Sequence, residues 1–184
     1  MTSRYVLAML AALGMATWLH AEANSPVSTQ PELLKTLSSD ATVEQKADAC
    51  RQLERVGTAD AIPALVGLLS NDPLAHRARA ALEKIDDPAV DAALRDAIGK
   101  LHGRLLAGVV ASIGHRRDAK ATEALAELLH NPDAQVASAA AYALGQIASP
   151  EAAKSLQESL PGASKEVEPA IRDAQRRIAE RAGN

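Results

Sequence analysis

The sequence predicts an all-α fold: a short right-handed α-solenoid of about four helix-pair repeats, closed by a C-terminal capping helix. Three observations predict it. One block recurs four times, over residues 49–69, 78–98, 106–129 and 140–160, and each copy joins two helical apolar patterns through a tight turn. No alternation of apolar and polar residues marks a strand anywhere in the 184 residues. The last segment carries one narrow apolar stripe, Val167, Ile171, Ala174 and Ile178, on an otherwise charged helix. A one-sided helix of that kind covers the open end of a stack.

The repeat register is set by apolar anchors. Val56, Ile85, Ile113 and Ile147, taken as the residues that close each first helix, lie 29, 28 and 34 residues apart. From turn to next anchor the distance is 8 in three units: Gly57 to Leu65, Asp86 to Leu94 and Ala148 to Leu156. In the third unit, Gly114 to Leu125, it is 11. This places a three-residue insertion in the turn His115, Arg116, Arg117, Asp118, where a repeat tolerates one because the turn is solvated.

Helix starts are legible one by one. Pro31 suits the first turn of a short helix over residues 31–37. Thr42 and Gln45 have capping-box spacing and open the first full repeat. Asp72-Pro73, Asp87-Pro88 and Ser149-Pro150 each set a capping side chain before a proline. Thr58 and Asp118 are placed to cap second helices, and Asn131-Pro132 stops one helix before Asp133 starts another. Gly103 and Gly108 weaken the third first-helix and mark it as a flexing point.

Arg4, the mostly apolar run over residues 5–19 and the triplet Ala21, Glu22, Ala23 read as a secretory signal cleaved near Ala23-Asn24. The mature chain is then periplasmic or secreted; an uncleaved N-terminal anchor is the other reading of the same run. Residues 1–23 are thus assigned to a signal peptide, 24–42 to a leader and N-terminal capping helix, 43–160 to the repeats and 161–184 to the C-terminal capping helix. Removing the signal removes Tyr5 and Trp18, and with no Phe in the chain Tyr142 is the one aromatic left. That is too few faces to stack on bases, sugars or tetrapyrroles. A net charge of −3 argues against nucleic acid. The single cysteine, Cys50, cannot form an internal disulfide, and its apolar side of the helix implies burial.

The run over residues 57–72, the Ala-rich helix after it, and the segment from Asp87 to Leu94 resemble the HEAT-like repeats first named from phycobilin lyases. Residues 133–156 carry the pattern most fully, and the resemblance spans about residues 43–160. It implies a solenoid that works by offering a surface, as scaffolds, regulators and transport adaptors do. Two enzymatic branches of the family are not matched. The di-iron hydroxylases resemble one another in paired His-Glu dipeptides, and none of His20, His76, His102, His115 or His130 is followed by Glu. The pigment lyases conflict with an export signal and a single aromatic residue.

Four candidate features follow from the residues. The second helices, laid over one another, put Gly67, Asp96, Glu127 and Glu158 in one outward column and Pro63, Ala92, Glu123 and Lys154 in the next. This mildly acidic face can receive a basic segment of a partner, or it is a solvated face whose glutamates serve helix propensity. Arg116 and Arg117 in the turn can grip a carboxylate or phosphate, or they form a solvated loop with Asp118 capping the next helix. The first helices are more basic outside, at Arg51, Arg55, Arg77, Lys84 and Arg104. Arg79 matches Cys50, Ala107 and Ala141 in register and must snorkel outward or pair with a carboxylate such as Glu83. No His or Cys pair has metal-ligand spacing, and nothing sets Ser112, His115 and Asp118 as a triad.

The expected function is a non-catalytic protein–protein interaction scaffold or adaptor of the cell envelope. Its partner is an unidentified protein bound on the second-helix face, at Asp96, Glu123, Glu127 and Glu158, and on the turn, at Arg116 and Arg117. No cofactor, metal or nucleic acid is expected, no membrane beyond the export signal, and the chain is read as a monomer. The alternative is an accessory or regulatory subunit of a lyase- or oxidoreductase-like complex.

Overall fold

A computed structural model describes residues 28–183, so the signal segment, its cleavage point and the start of the leader lie outside the described residues. Among these residues the chain forms ten α-helices and no strand. They are α1 (Gln30–Ser38), α2 (Val43–Val56), α3 (Ile62–Gly67), α4 (Ala75–Lys84), α5 (Pro88–Ile98), α6 (Gly103–Arg116), α7 (Thr122–Leu128), α8 (Ala134–Ile147), α9 (Pro150–Ser159) and α10 (Glu168–Ala182). Short 3₁₀ turns lead into α3 and α7 and follow α9.

The helices stack in two rows, the α-solenoid that the repeats predict. α2, α4, α6, α8 and α10 pack in sequence along the first row. The second row holds α1 against α3, α3 against α5, and α7 against α9. The four full pairs are α2/α3, α4/α5, α6/α7 and α8/α9, with α1 before them in the second row and α10 after them in the first. Each second helix sends one fully buried leucine between the rows: Leu65, Leu94, Leu125 and Leu156. Each such side chain contributes roughly 1.5–3 kcal/mol by leaving water. α10 buries Val167, Ile171 and Ala174 and exposes Arg172, Asp173, Arg176 and Glu180.

The structure corrects the register of the third repeat. Ile113 stands with Leu53, Leu82 and Leu144, all at most 1 % exposed, and not with Val56, Ile85 and Ile147. The place of those three is taken by Arg116, the last residue of α6. Arg117 and Ala148 are the matching helix ends, both left-handed, at φ 55° and 56°. Asp118 and Ser149 follow as matching N-caps, accepting from Lys120 N and Ala152 N. Turn residues Gly57, Asp86, Arg117 and Ala148 are then 29, 31 and 31 apart, and each lies 8 before its leucine. No insertion exists; α6 simply runs one turn past Ile113.

Other local expectations hold or change for identifiable reasons. Thr42 and Gln45 form the capping box, and Asp87, Asp133 and Ser149 cap as their sequence implies. Thr58 does not cap with its own side chain. Gln30 reaches in from α1, its Nε2 donating to Thr58 Oγ1 at 2.9 Å while Thr58 N donates to its Oε1 at 2.6 Å. Asp72 does not cap either: α4 begins at Ala75 after a turn, and Asp72 pairs with Arg104. Along the first row, close approach is made by small residues. A Cβ on Gly114 would stand 2.6 Å from Ala143 Cα, and one on Gly145 2.8 Å from Ala174 Cβ.

Candidate functional site

The second row presents the acidic residues outward. Asp96 on α5, Glu123 and Glu127 on α7, and Glu158 on α9 are all exposed. Glu158 lies 3.8 Å from Lys154, one turn before it on α9. Asp96, Glu123 and Glu127 have no ion-pair partner among the described residues. Pro63 and Gly67 on α3 and Ala92 on α5 are exposed beside them. Three acids without an ion-pair partner among the described residues, on two successive second helices, make this row mildly negative.

Between α3 and α5 on the same row lies a groove of about 270 Å³ that sequence reasoning did not locate. Val66, Leu69, Ala93, Ala97 and Leu101 form its walls, and Asp96 and Lys100 stand at its rim. Gly67 opens it: a Cβ built there meets nothing within 4 Å. The one sequence signal was the glycine itself, at the column position that later repeats fill with Asp96, Glu127 and Glu158.

The basic turn is divided in fate. The side chain of Arg116, one of the expected partner-binding pair, makes its polar contacts within the chain. Its Nε pairs with Asp91. Its Nη1 donates to Ile85 O at 2.8 Å and its Nη2 to Asp87 O at 3.2 Å. Ile85 O lies at the end of α4, where a helix leaves carbonyls without intrahelical partners, while Asp87 O, at the start of α5, also accepts from Val90 N. A guanidinium with five donors satisfies several at once. Arg117 is exposed and lies at the rim of a polar cleft of about 490 Å³ with Lys84, Asp86 and Gln146. Asp118 is nearly buried and pairs with Arg95 while capping the turn into α7.

Beside that cleft a polar chain crosses the first row. Arg79 Nη1 donates to Gly108 O at 3.0 Å and to Ser112 Oγ at 3.2 Å. Ser112 Oγ donates to Glu83 Oε1 at 2.6 Å, and His115 Nδ1 lies 3.1 Å from Glu83 Oε2. The His115 ring meets Tyr142 edge-to-face at 5.7 Å, and Arg177 lies over the Tyr142 ring at 5.5 Å. Ser112 and His115 both bind Glu83 rather than each other, and Asp118 is held by Arg95, so these residues form no nucleophile–base pair. Burial lowers the Arg79 guanidinium from its ordinary value, against the pull of Glu83. The Arg79 side chain, expected to snorkel out or pair with Glu83, instead reaches Glu83 through Ser112.

Cys50 is fully buried. Burial pushes its thiol up to about 11, with Glu54 adding to the effect and Arg77 opposing it, so it is a poor nucleophile. Among the described residues no group of three or more His, Cys, Asp and Glu could hold a metal ion. No helix among them is long and apolar enough to cross a membrane.

Residues 102–174 match the family described as HEAT repeats. That stretch, from the start of α6 into α10, is thus similar to HEAT repeats, and it lies within a two-row stack of helix pairs, an α-solenoid. HEAT repeats generally mediate protein–protein interaction, and solenoids of this kind are typically non-catalytic. Among solved structures, the chain is similar to an engineered protein at 25 % identity, over 80 % of this chain and 78 % of that chain, with a TM-score of 0.47. No curated protein matches it.

Proposed function

We propose that this chain is a non-catalytic scaffold or adaptor of the cell envelope that binds a basic segment of a protein partner along its second-helix row. The observation that carries this reading is the set Asp96, Glu123 and Glu127, exposed on two successive second helices with no ion-pair partner among the described residues. Arg95, next to Asp96 in the chain, is engaged with Asp118, and Arg116 with Asp91. Arg116 therefore leaves the binding surface, and Arg117 serves at its edge.

Paired charge reversal tests this set. Glu123→Lys with Glu127→Lys should abolish cross-linked capture of the partner from envelope extract while the melting temperature stays within a few degrees. Capture at undiminished yield refutes the assignment. Export is part of the same proposal: residues 1–23 carry the chain out and are removed, so protein taken from the envelope fraction should begin at Asn24. An N-terminus at Met1 would replace export and cleavage by a tether. The chain is proposed to act as a monomer, since the outer face of α10 is covered by Arg172 with Glu168 and Arg176 with Asp173. A sedimentation mass of one chain, 19.2 kDa less the residues removed on export, agrees with that; a multiple of it does not.

A further inference from the structure

The glycine at position 67 has no structural use that the fold reveals. It lies at the end of α3 with an ordinary helical backbone, and no atom lies within 4 Å of where its Cβ would be. Gly114 and Gly145 differ, because there the neighbouring helix fills that space. A helical glycine without such a neighbour costs stability relative to alanine. What it does is leave the mouth of the α3–α5 groove open, above walls of Val66, Leu69, Ala93, Ala97 and Leu101.

The groove is apolar and its volume of about 270 Å³ suits one or two side chains and no more. Its rim carries one acid, Asp96, and one base, Lys100, and the next second helix, α7, exposes Glu123 and Glu127. An apolar socket beside a row of unpaired acids is complementary to a segment that offers an aliphatic side chain next to cationic ones.

We propose that the α3–α5 groove is the anchor pocket for the partner, taking a leucine-sized aliphatic side chain from a segment whose flanking lysines or arginines lie over Asp96, Glu123 and Glu127. This rests on the interaction-scaffold reading and adds to it the partner's chemistry and the residue that admits it.

The test uses the full chain and three labelled twelve-residue peptides, read by fluorescence anisotropy at moderate salt. The first has a central leucine flanked by lysines, the second has serine for the leucine, and the third has glutamates for the lysines. The first should bind, and the other two should bind at least roughly ten-fold more weakly, as loss of one buried aliphatic side chain or of the charge match requires. Gly67→Leu fills the groove without touching the acids and should weaken the first peptide by a similar factor. Gly162→Leu, at another site where a Cβ meets nothing, should leave it unchanged. Equal binding of the leucine and serine peptides overturns the pocket, as does indifference to Gly67→Leu or binding of none of the three. If partner capture is lost in the Glu123/Glu127 double reversal but survives Gly67→Leu, the pocket fails and the acidic set stands. If capture survives both, the scaffold surface fails as well. Concentration-dependent self-association that Gly67→Leu abolishes would make a second copy the occupant and overturn the peptide assignment.

Discussion

The guanidinium of Arg79 occupies the space that a side chain on Gly108 would fill: a Cβ there would stand 2.8 Å from Arg79 Cζ. Arg79 belongs to the second repeat and Gly108 to the third. At the positions matching Arg79 the other repeats use Cys50, Val110 and Ala141, all fully buried. An arginine fits there because the facing helix offers a socket with a carbonyl and a hydroxyl at its base.

The socket predicts a coupling. Gly108→Ala gains about 1 kcal/mol of helix propensity but evicts Arg79, whose two hydrogen bonds contribute about 2–3 kcal/mol together. Urea unfolding should show a net loss of about 1–2 kcal/mol. With Arg79→Ala already present, the same glycine change should stabilise by about 1 kcal/mol. Equal effects in the two backgrounds would remove the socket.

Arg116→Ile writes into the third repeat the residue type found at Ile85 and Ile147. It strips the donors from Ile85 O, Asp87 O and Asp91, and should cost about 2–4 kcal/mol. Arg116→Lys should recover less than half of that, because one ammonium cannot span three acceptors. A neutral isoleucine variant in the same unfolding assay would contradict the assignment.

Two glycine-to-alanine changes of identical chemistry should have opposite signs. At Gly114 the new Cβ meets the Ala143 backbone, which cannot rotate away, and stability should fall by roughly 2–3 kcal/mol. At Gly67 it meets nothing, and stability should rise by about 0.5–1 kcal/mol. Calorimetric melting of both variants beside the parent decides this.

The raised thiol of Cys50 fixes the direction of an alkaline effect. Its folded pKa of about 11 lies above the ordinary 9.0, so the protonated thiol is favoured by folding. The stabilisation is complete below about pH 9 and is lost as the pH climbs through 11, by an amount approaching roughly 2–3 kcal/mol. Cys50→Ala should flatten this part of the stability–pH curve. The native thiol should also resist aromatic disulfide reagents at pH 8 until urea exposes it.

The repeat number, the helix types and most caps were legible because they are written in short-range spacing: a leucine every 29 or 31 residues, a Thr, Asp or Ser before each second helix. The register of the third repeat was not, because the alignment followed apolar anchors and Arg116 stands where an anchor was sought. An arginine can hold that place only by satisfying carbonyls of another helix, which no local pattern encodes. Thr58 and Asp72 misled for the same reason, since Gln30 and Arg104 engage them from 28 and 32 residues away. The outward acids were legible from helical periodicity. The groove beside them was not: an empty space belongs to two helices at once, and Gly67 alone looks like one more member of a column.

The second and third repeats are joined differently from the rest. Arg79 with Gly108, Arg95 with Asp118, Arg104 with Asp72 and Arg116 with Asp91 all cross that one junction, whereas α6, α8 and α10 approach through glycine and alanine, with Arg181 on Gln146 and Arg177 over Tyr142 but no ion pair between these helices among the described residues. One joint is thus fastened by ions and its neighbours by contact. Dissolved salt weakens ionic fastenings at the surface and leaves van der Waals contact almost untouched. Asp96 and Glu127 stand on opposite sides of the ionic joint. Arg104 with Asp72 is the exposed pair of this joint, while Arg95 with Asp118 and Arg116 with Asp91 are shielded, so the spacing between the two halves of negative charge is held by fastenings that salt largely spares.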